Sequence, residues 1–239
     1  YTCANGIRSE LNCSLHSLNS STPQANLIFA LEEAGGAVDS VLALQTALDA
    51  NLRGYTTAFA SPSDPCVQVL VASASNIWVM TGTFGADTRL STADGDALAL
   101  AVDLGINVYL EGADHWGWQH VPSDLDEVDG VQNDGLAAIS DGGDDLDEID
   151  GQDATAVHLQ LDMTDFTDLV YTQDSAANDF TDELVVTGTD PLAVVDTQVL
   201  EARALFINSD SVMNGEDAFI TAIAASNIDP AKGLVICSS

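Results

Sequence analysis

Apolar positions recur along this chain with two different periods, and the period switches repeatedly between residues 23 and 120. In "TPQANLIFALEEAGG", Leu27, Ile28 and Leu31 fall at helical spacing behind a cap-like Thr22 and Pro23, and a glycine pair follows, so the stretch predicts an amphipathic helix. "AVDSVLAL" then reads as a buried strand and "QTALDANLRGY" as a short helix or turn. "CVQVLVA" and "NIWVMTG" read as two strands separated by small residues. "LSTADGDALALAVDLG" offers Ser91 or Thr92 as N-cap, places Asp94 in the first turn where the helix dipole favours a carboxylate, and stops at Gly105. The strand "INVYLEG" follows it.

Beyond residue 120 the helical period fades. "TAVHLQL", "DLVYT", "ELVVTG", "LAVVD" and "VLEARALFIN" are short and strand-like, "GEDAFITAIAASN" predicts a last helix, and "GLVICS" a last strand. Short apolar strands alternating with helices specify an α/β fold with a mainly parallel sheet and helices on both faces. The strand-rich stretch 154–207 breaks the alternation and reads as a β-rich insertion on the same domain. The expected organisation is a polar, disulfide-stapled arm at 1–22, then a single α/β domain at 23–239 with an acidic loop at 121–153 and the β-rich extension at 154–207.

Composition changes the picture most through charge. A 46% apolar content supports a real core, yet 38 acidic residues face only Arg8, Arg53, Arg89, Arg203 and Lys232, for a net charge of −33. Between Arg89 and Arg203 there is no Lys or Arg. Most carboxylates must therefore be neutralised by water or by monovalent or divalent cations, as suits a saline medium, and self-repulsion should weaken the fold in low salt. Nucleic acid and anionic membranes are excluded as partners by sign. No apolar run reaches membrane-spanning length, so membrane insertion is not expected.

Cys3, Cys13, Cys66 and Cys237 show no zinc-type spacing, and an even count at scattered positions suits two disulfides in an exported protein. Of the three pairings, Cys3 with Cys13 and Cys66 with Cys237 is the expected one. Asn12 and Asn19 stand in glycosylation sequons, which agrees with an extracellular or cell-surface location. Tyr1 in place of Met suggests a chain processed from a precursor.

The run "VMTGTFGADTRLSTADGDALALAVDLGINVYLEGADHWGW", with "GGAVDSVLAL" before it and "ALFINSDSVMNGEDAFITAIAA" after it, resembles flavodoxin-like domains of the class I glutamine amidotransferase-like superfamily, in the versions found in large secreted bacterial proteins. The pieces that carry the resemblance are a strand ending in a Thr81-Gly82 turn, a capped helix with its stop, and a strand running into Glu111-Gly112-Ala113-Asp114. It spans residues 25–120, and 200–237 more loosely. The resemblance implies a flavodoxin-like sheet. Active members carry a Cys on a sharp strand-to-helix elbow with a His nearby; here the elbow falls in "LEGADHWG", which has neither Cys nor Ser, so the scaffold is implied without its amidotransferase site.

Two constellations remain. Glu111, Asp114 and His115, with His120 close behind, follow a strand at the end where open α/β sheets bind ligands, and could perform acid–base hydrolysis with or without a divalent metal. Trp116 and Trp118 in the same stretch offer a carbohydrate-stacking alternative. The second constellation is a doublet, DLDEVDG at 124–130 and DLDEIDG at 145–151. Asp124, Asp126, Asp129, Asp145, Asp147 and Asp150 supply oxygens of the kind calcium takes, though the spacing DxDExDG is one residue too long for an EF-hand. The functional expectation is a non-enzymatic structural or interaction protein of the cell exterior, acidic and cation-dependent, associating with itself or with other surface proteins, as in an extracellular filament or layer.

Overall fold

The computed structural model describes residues 26–31, 40–82, 88–112, 115–116, 120–131, 141–142, 148–155, 158–167, 169–170, 181–182, 184–186, 198–208 and 220–238. Its centre is one nine-stranded sheet. The first strands are β1 (Asn26–Ala30), β2 (Tyr55–Ala58), β3 (Asn76–Met80) and β4 (Asn107–Glu111), and the last are β11 (Val199–Asn208), β12 (Ile220–Asn227) and β13 (Val235–Ser238). With β6 (Glu148–Gly151) and β9 (Leu169–Val170) they stand in the order β2-β1-β3-β4-β13-β12-β11-β6-β9. The run from β2 to β13 is parallel throughout and every pairing beyond β13 is antiparallel. The mainly parallel sheet expected from the sequence is thus a mixed one, five parallel strands continued by four antiparallel ones.

Side-chain alternation sorts the core into two faces. Leu27, Phe29, Ile77, Val79, Val108 and Leu110 point to one face, where they meet the one-turn helix α2 (Gln68–Val71) and α3 (Thr92–Asp103). Ile28 and Met80, with the half-buried Trp78 and Tyr109, point to the other and meet α1 (Ser40–Ala50) through Val41 and Leu48. Farther along that second face the hairpin of β7 (Asp153–Ala154) and β8 (Leu161–Asp162) covers Leu205, Ala222 and Ala224. A separate short ladder pairs β5 (Asp141–Gly142) with β10 (Thr181–Asp182).

Four segments take the opposite structure to the one their sequence predicts. Residues 26–30 form a strand rather than a helix: five successive positions are buried or half-buried because β1 lies inside the sheet and is covered on both faces. The helix lies over 40–50: its first half replaces the expected strand, and its second half, from Gln45, falls where a short helix or turn was expected. "CVQVLVA" is broken by a helical turn at 68–71, entered through a turn in which the Asp64 carboxylate accepts from the Cys66 amide at 2.8 Å. The expected last helix is β12, whose alanines fit a strand buried on both faces.

The disulfide expectation is also corrected. Cys237 points from β13 into the core as a buried thiol, its Sγ donating to the Asp129 carbonyl at 3.7 Å, so Cys66–Cys237 is not formed. The physical reason is placement: β13 is inserted between β4 and β12 with Cys237 roofed by the chain at 129, whereas Cys66 sits in the turn before α2. No disulfide joins described residues, and Cys3 and Cys13 lie outside them, as do the sequons at Asn12 and Asn19. Among the described residues no helix is long and apolar enough to cross a membrane.

Candidate functional site

In an open α/β sheet the carboxyl ends of the parallel strands, around the point where strand order reverses, are where ligands bind. Here the order reverses about β1, so the place to look is formed by Leu31, Thr81, Gly112 and Ser238 at the ends of β1, β3, β4 and β13. These ends are stitched to one another. The Leu31 amide donates to the Met80 carbonyl at 3.0 Å, and both the amide and hydroxyl of Thr81 donate to the Glu111 carbonyl at 3.0 and 2.9 Å. Gly112 N–H donates to Ser238 O at 3.0 Å, and Thr88 closes back on both Leu31 and Thr81. A Cβ on Gly112 would stand 2.1 Å from Thr81 Oγ1, so only glycine lets β4 end against β3 in this way.

Of the expected catalytic trio, Glu111 is engaged by its own strand, accepting from Tyr109 OH at 2.8 Å. Asp114 and Trp118 lie outside the described residues. His115 packs edge-on against Trp116 with ring centroids 4.9 Å apart, and Trp116 itself has no exposed surface, so it is a core residue rather than a stacking platform. His115 as a residue is half-buried; desolvation pushes its imidazole down to about 4, His120 pushes in the same direction, and Asp126 opposes both.

From this end the chain at 120–131 runs along α3 and over the face of the antiparallel strands, where Asp129 O lies over Cys237 and a Cβ on Gly130 would meet Ala225, Ala202 and Ile223. His120 Nε2 lies 3.3 Å from Asp126 Oδ2, and the Arg89 guanidinium donates to the His120 carbonyl at 3.1 Å. A 3₁₀ turn at Asp124–Glu127 is held by a capping box in which Ser123 Oγ accepts from the backbone and the Ser123 amide donates to the Asp126 carboxylate. The turn sits directly on the N-terminus of α3. Thr92 Oγ1 donates to Pro122 O at 2.9 Å, the Asp124 amide donates to Asp96 Oδ1 at 2.9 Å, and Leu125 and Val128 are buried. A Cβ on Gly95 would stand 2.1 Å from Ser123 Oγ, a measure of how closely the two backbones approach.

The helix beneath is braced by a second capping box. Asp94 is buried; burial alone would raise its pKa, but hydrogen bonds from Ser63 and Ser91 prevail and hold it below the usual carboxylate value. Asp94, Arg89 and the His120–Asp126 pair were not picked out as a unit from the sequence. The legible signal was the repeated S-x-x-D spacing, Ser91 to Asp94 and Ser123 to Asp126, just ahead of helical turns.

The acidic doublet does not act as a structural repeat. In the first copy Asp124 is exposed, Asp126 faces Ser123 and His120, and Asp129 is buried with its carboxylate accepting from the Val131 amide at 2.9 Å. In the second copy Asp150 lies within β6 opposite Ile207 of β11, and Asp145 and Asp147 fall outside the described residues. Among the described residues no group of three or more His, Cys, Asp or Glu side chains is arranged to hold a metal ion. Beside the first copy lies a concavity of about 250 Å³, walled by Asp96, Asp103, Asp124 and Glu127 over Leu100 and Val128, where Lys232 Nζ meets Asp103 at 2.6 Å.

No protein-family model, no curated protein and no solved structure matches the chain.

Proposed function

We propose that this chain is an acidic, non-enzymatic flavodoxin-like domain that serves as a self-associating structural or interaction protein at the cell exterior, with mono- and divalent cations, calcium among them, as counter-ions. The flavodoxin-like assignment is supported by the order of the five parallel strands, which in chain order is 2-1-3-4-5. The observation that carries the functional reading is that the described residues at the sheet's ligand end are engaged by the protein itself: the strand ends bond to one another, Glu111 accepts from Tyr109, and Trp116 is fully buried.

A hydrolase built on Glu111, Asp114 and His115 is the weaker reading, because an imidazole held near 4 is a poor general base at neutral pH and Glu111 is bound to Tyr109. Self-association of so anionic a chain requires screening. The test is sedimentation velocity with electron microscopy across protein concentrations, in calcium and in high sodium chloride, and again after EDTA or in low salt. Assembly that grows with screening is the expected result. A particle that stays monomeric at high concentration in calcium and in high salt refutes the reading.

A further inference from the structure

The nine-stranded sheet has two open ends, and they are built differently. At one end is β9, which in the sequence is bracketed by Asp165, Asp168 and Asp174, a residue type that discourages pairing between edge strands. At the other end β2 carries Tyr55, Thr56, Thr57 and Ala58, with no charge and no proline, and among the described residues no strand pairs with its outer side. The flank around it is nearly neutral: between residues 40 and 82 the only Asp, Glu, Lys or Arg residues are Asp49, Arg53 and Asp64, in a chain of net charge −33.

Flanking β2 are the most exposed large apolar side chains among the described residues, Leu52, three residues before it, at 94% and Phe59, just after it, at 84%. Leu52 is costly in a second way. It terminates α1 in the left-handed region, φ 55°, where the Arg53 amide closes on the Leu48 carbonyl at 2.9 Å, a position that glycine or asparagine fills without strain. A bulky side chain that is strained and almost wholly in water in the single chain calls for a contact that covers it.

We infer that β2 is a two-fold self-association edge, at which a second copy of this chain pairs its own β2 antiparallel and continues the sheet. Antiparallel pairing sets the start of one strand beside the end of the other, which brings the Leu52 end of each copy beside the Phe59 end of the second copy. The charge-poor flank lets two strongly anionic bodies approach here, whereas carboxylates stand on both sides of β9 in the sequence. The contact is closed, giving a dimer as the unit of any larger assembly. This inference rests on the self-associating reading proposed above.

The experiment compares the full chain with Leu52→Gly, Phe59→Lys and a control, Leu104→Lys, whose side chain is exposed at the C-terminus of α3. Sedimentation equilibrium in 1 M sodium chloride gives the dimer constant, hydrogen exchange at Tyr55–Ala58 reports the edge, and thermal melts establish that each variant folds. The expected result is a dimer whose dissociation constant rises at least tenfold in both Leu52→Gly and Phe59→Lys, stays unchanged in Leu104→Lys, and whose β2 amides exchange more slowly as concentration rises. Phe59→Lys lowers the net negative charge, so weakening there cannot be ascribed to added repulsion. If the wild type assembles and both edge variants assemble equally well, the β2 edge is wrong and self-association stands. If the wild type is monomeric under every condition, self-association falls and this interface with it.

Discussion

Replacing Gly95 by alanine tests the docking of the 120–131 segment against ordinary expectation. In an open helix the substitution would stabilise the protein by about 1 kcal/mol, because alanine is the better helix former. Here the new methyl would stand 2.1 Å from Ser123 Oγ and 2.4 Å from Ser123 Cβ, and neither neighbour is the far end of a flexible side chain. The turn at 124–127 has to lift. Lifting it forfeits the Ser123 cap, about 1 kcal/mol. It also breaks the Asp124–Asp96 and Thr92–Pro122 bonds, together about 1–2 kcal/mol, and uncovers Leu125, about 2 kcal/mol. Set against the helix gain, the net loss is roughly 3 kcal/mol, or about 1 M in the urea midpoint. Urea unfolding followed by far-ultraviolet circular dichroism measures it. In the same variant the His115 imidazole, no longer covered, should titrate closer to its ordinary value of 6.5 than to 4 in a histidine NMR titration. A variant as stable as the wild type, or more so, would show that the segment does not sit on α3 as described.

Three further outcomes are expected. Because His115 titrates near 4 when folded and near 6.5 when free, the unfolded chain takes up its proton first; the stability it contributes is whole above pH 6.5 and is lost as pH falls to about 4. Allowing for its partial solvent access, that loss is roughly 1–3 kcal/mol, and His115→Gln should flatten the melting-temperature profile over this window; identical profiles would refute the assignment. Asp94, held below its ordinary value, adds a second loss at lower pH, as the solution falls through its depressed pKa. Raising sodium chloride from 10 mM to 1 M should raise the melting temperature, by about 2–4 °C for each kcal/mol of repulsion screened, and a flat response would show that the charge is already neutralised in the fold. Alkylation followed by peptide mass mapping should label Cys237 only after denaturation, since the thiol is buried under Asp129; labelling of the native protein at Cys237 would contradict its placement.

Where the sequence was read correctly, local chemistry and tertiary structure agree. Ser91, Asp94 and Gly105 delimit α3, and the β-branched and aromatic residues of "NIWVM" and "NVYLE" form the strands they favour. Where it was misread, burial on both faces had erased the period. "LIFAL" offers no polar positions by which to tell strand from helix, because β1 is covered on both sides, and the alanines of "ITAIAASN" favour a helix until two packed layers require small side chains in β12. The exchange of strand and helix between 26 and 50 follows from the first error, since "SVLAL" reads as a strand only if the element before it is a helix. Of the stretch singled out at the end of β4, the structure describes Glu111, Gly112, His115, Trp116 and His120, and the end of β4 bonds to the ends of β3 and β13. That His120 turns back onto Asp126, and that the doublet's first copy begins as a 3₁₀ turn while the end of its second copy lies in a strand, depend on contacts with α3 and β11 that no local pattern encodes.

The position of β13 has a consequence for how the protein comes to be folded. It supplies the seam between the parallel and antiparallel halves, with Val235 beside Val108 of β4 and Ala225 of β12. During synthesis β4 therefore leaves the ribosome long before the strand that will cover its open side, and β12 also waits on that strand. Until Val235–Ser238 is released, β4 and β12 each keep one open edge, a state prone to mispairing and slow to resolve because the contacts of β13 with β4 join segments more than a hundred residues apart. The sheet is completed from its middle, and the last described strand to be made is the one that unites it.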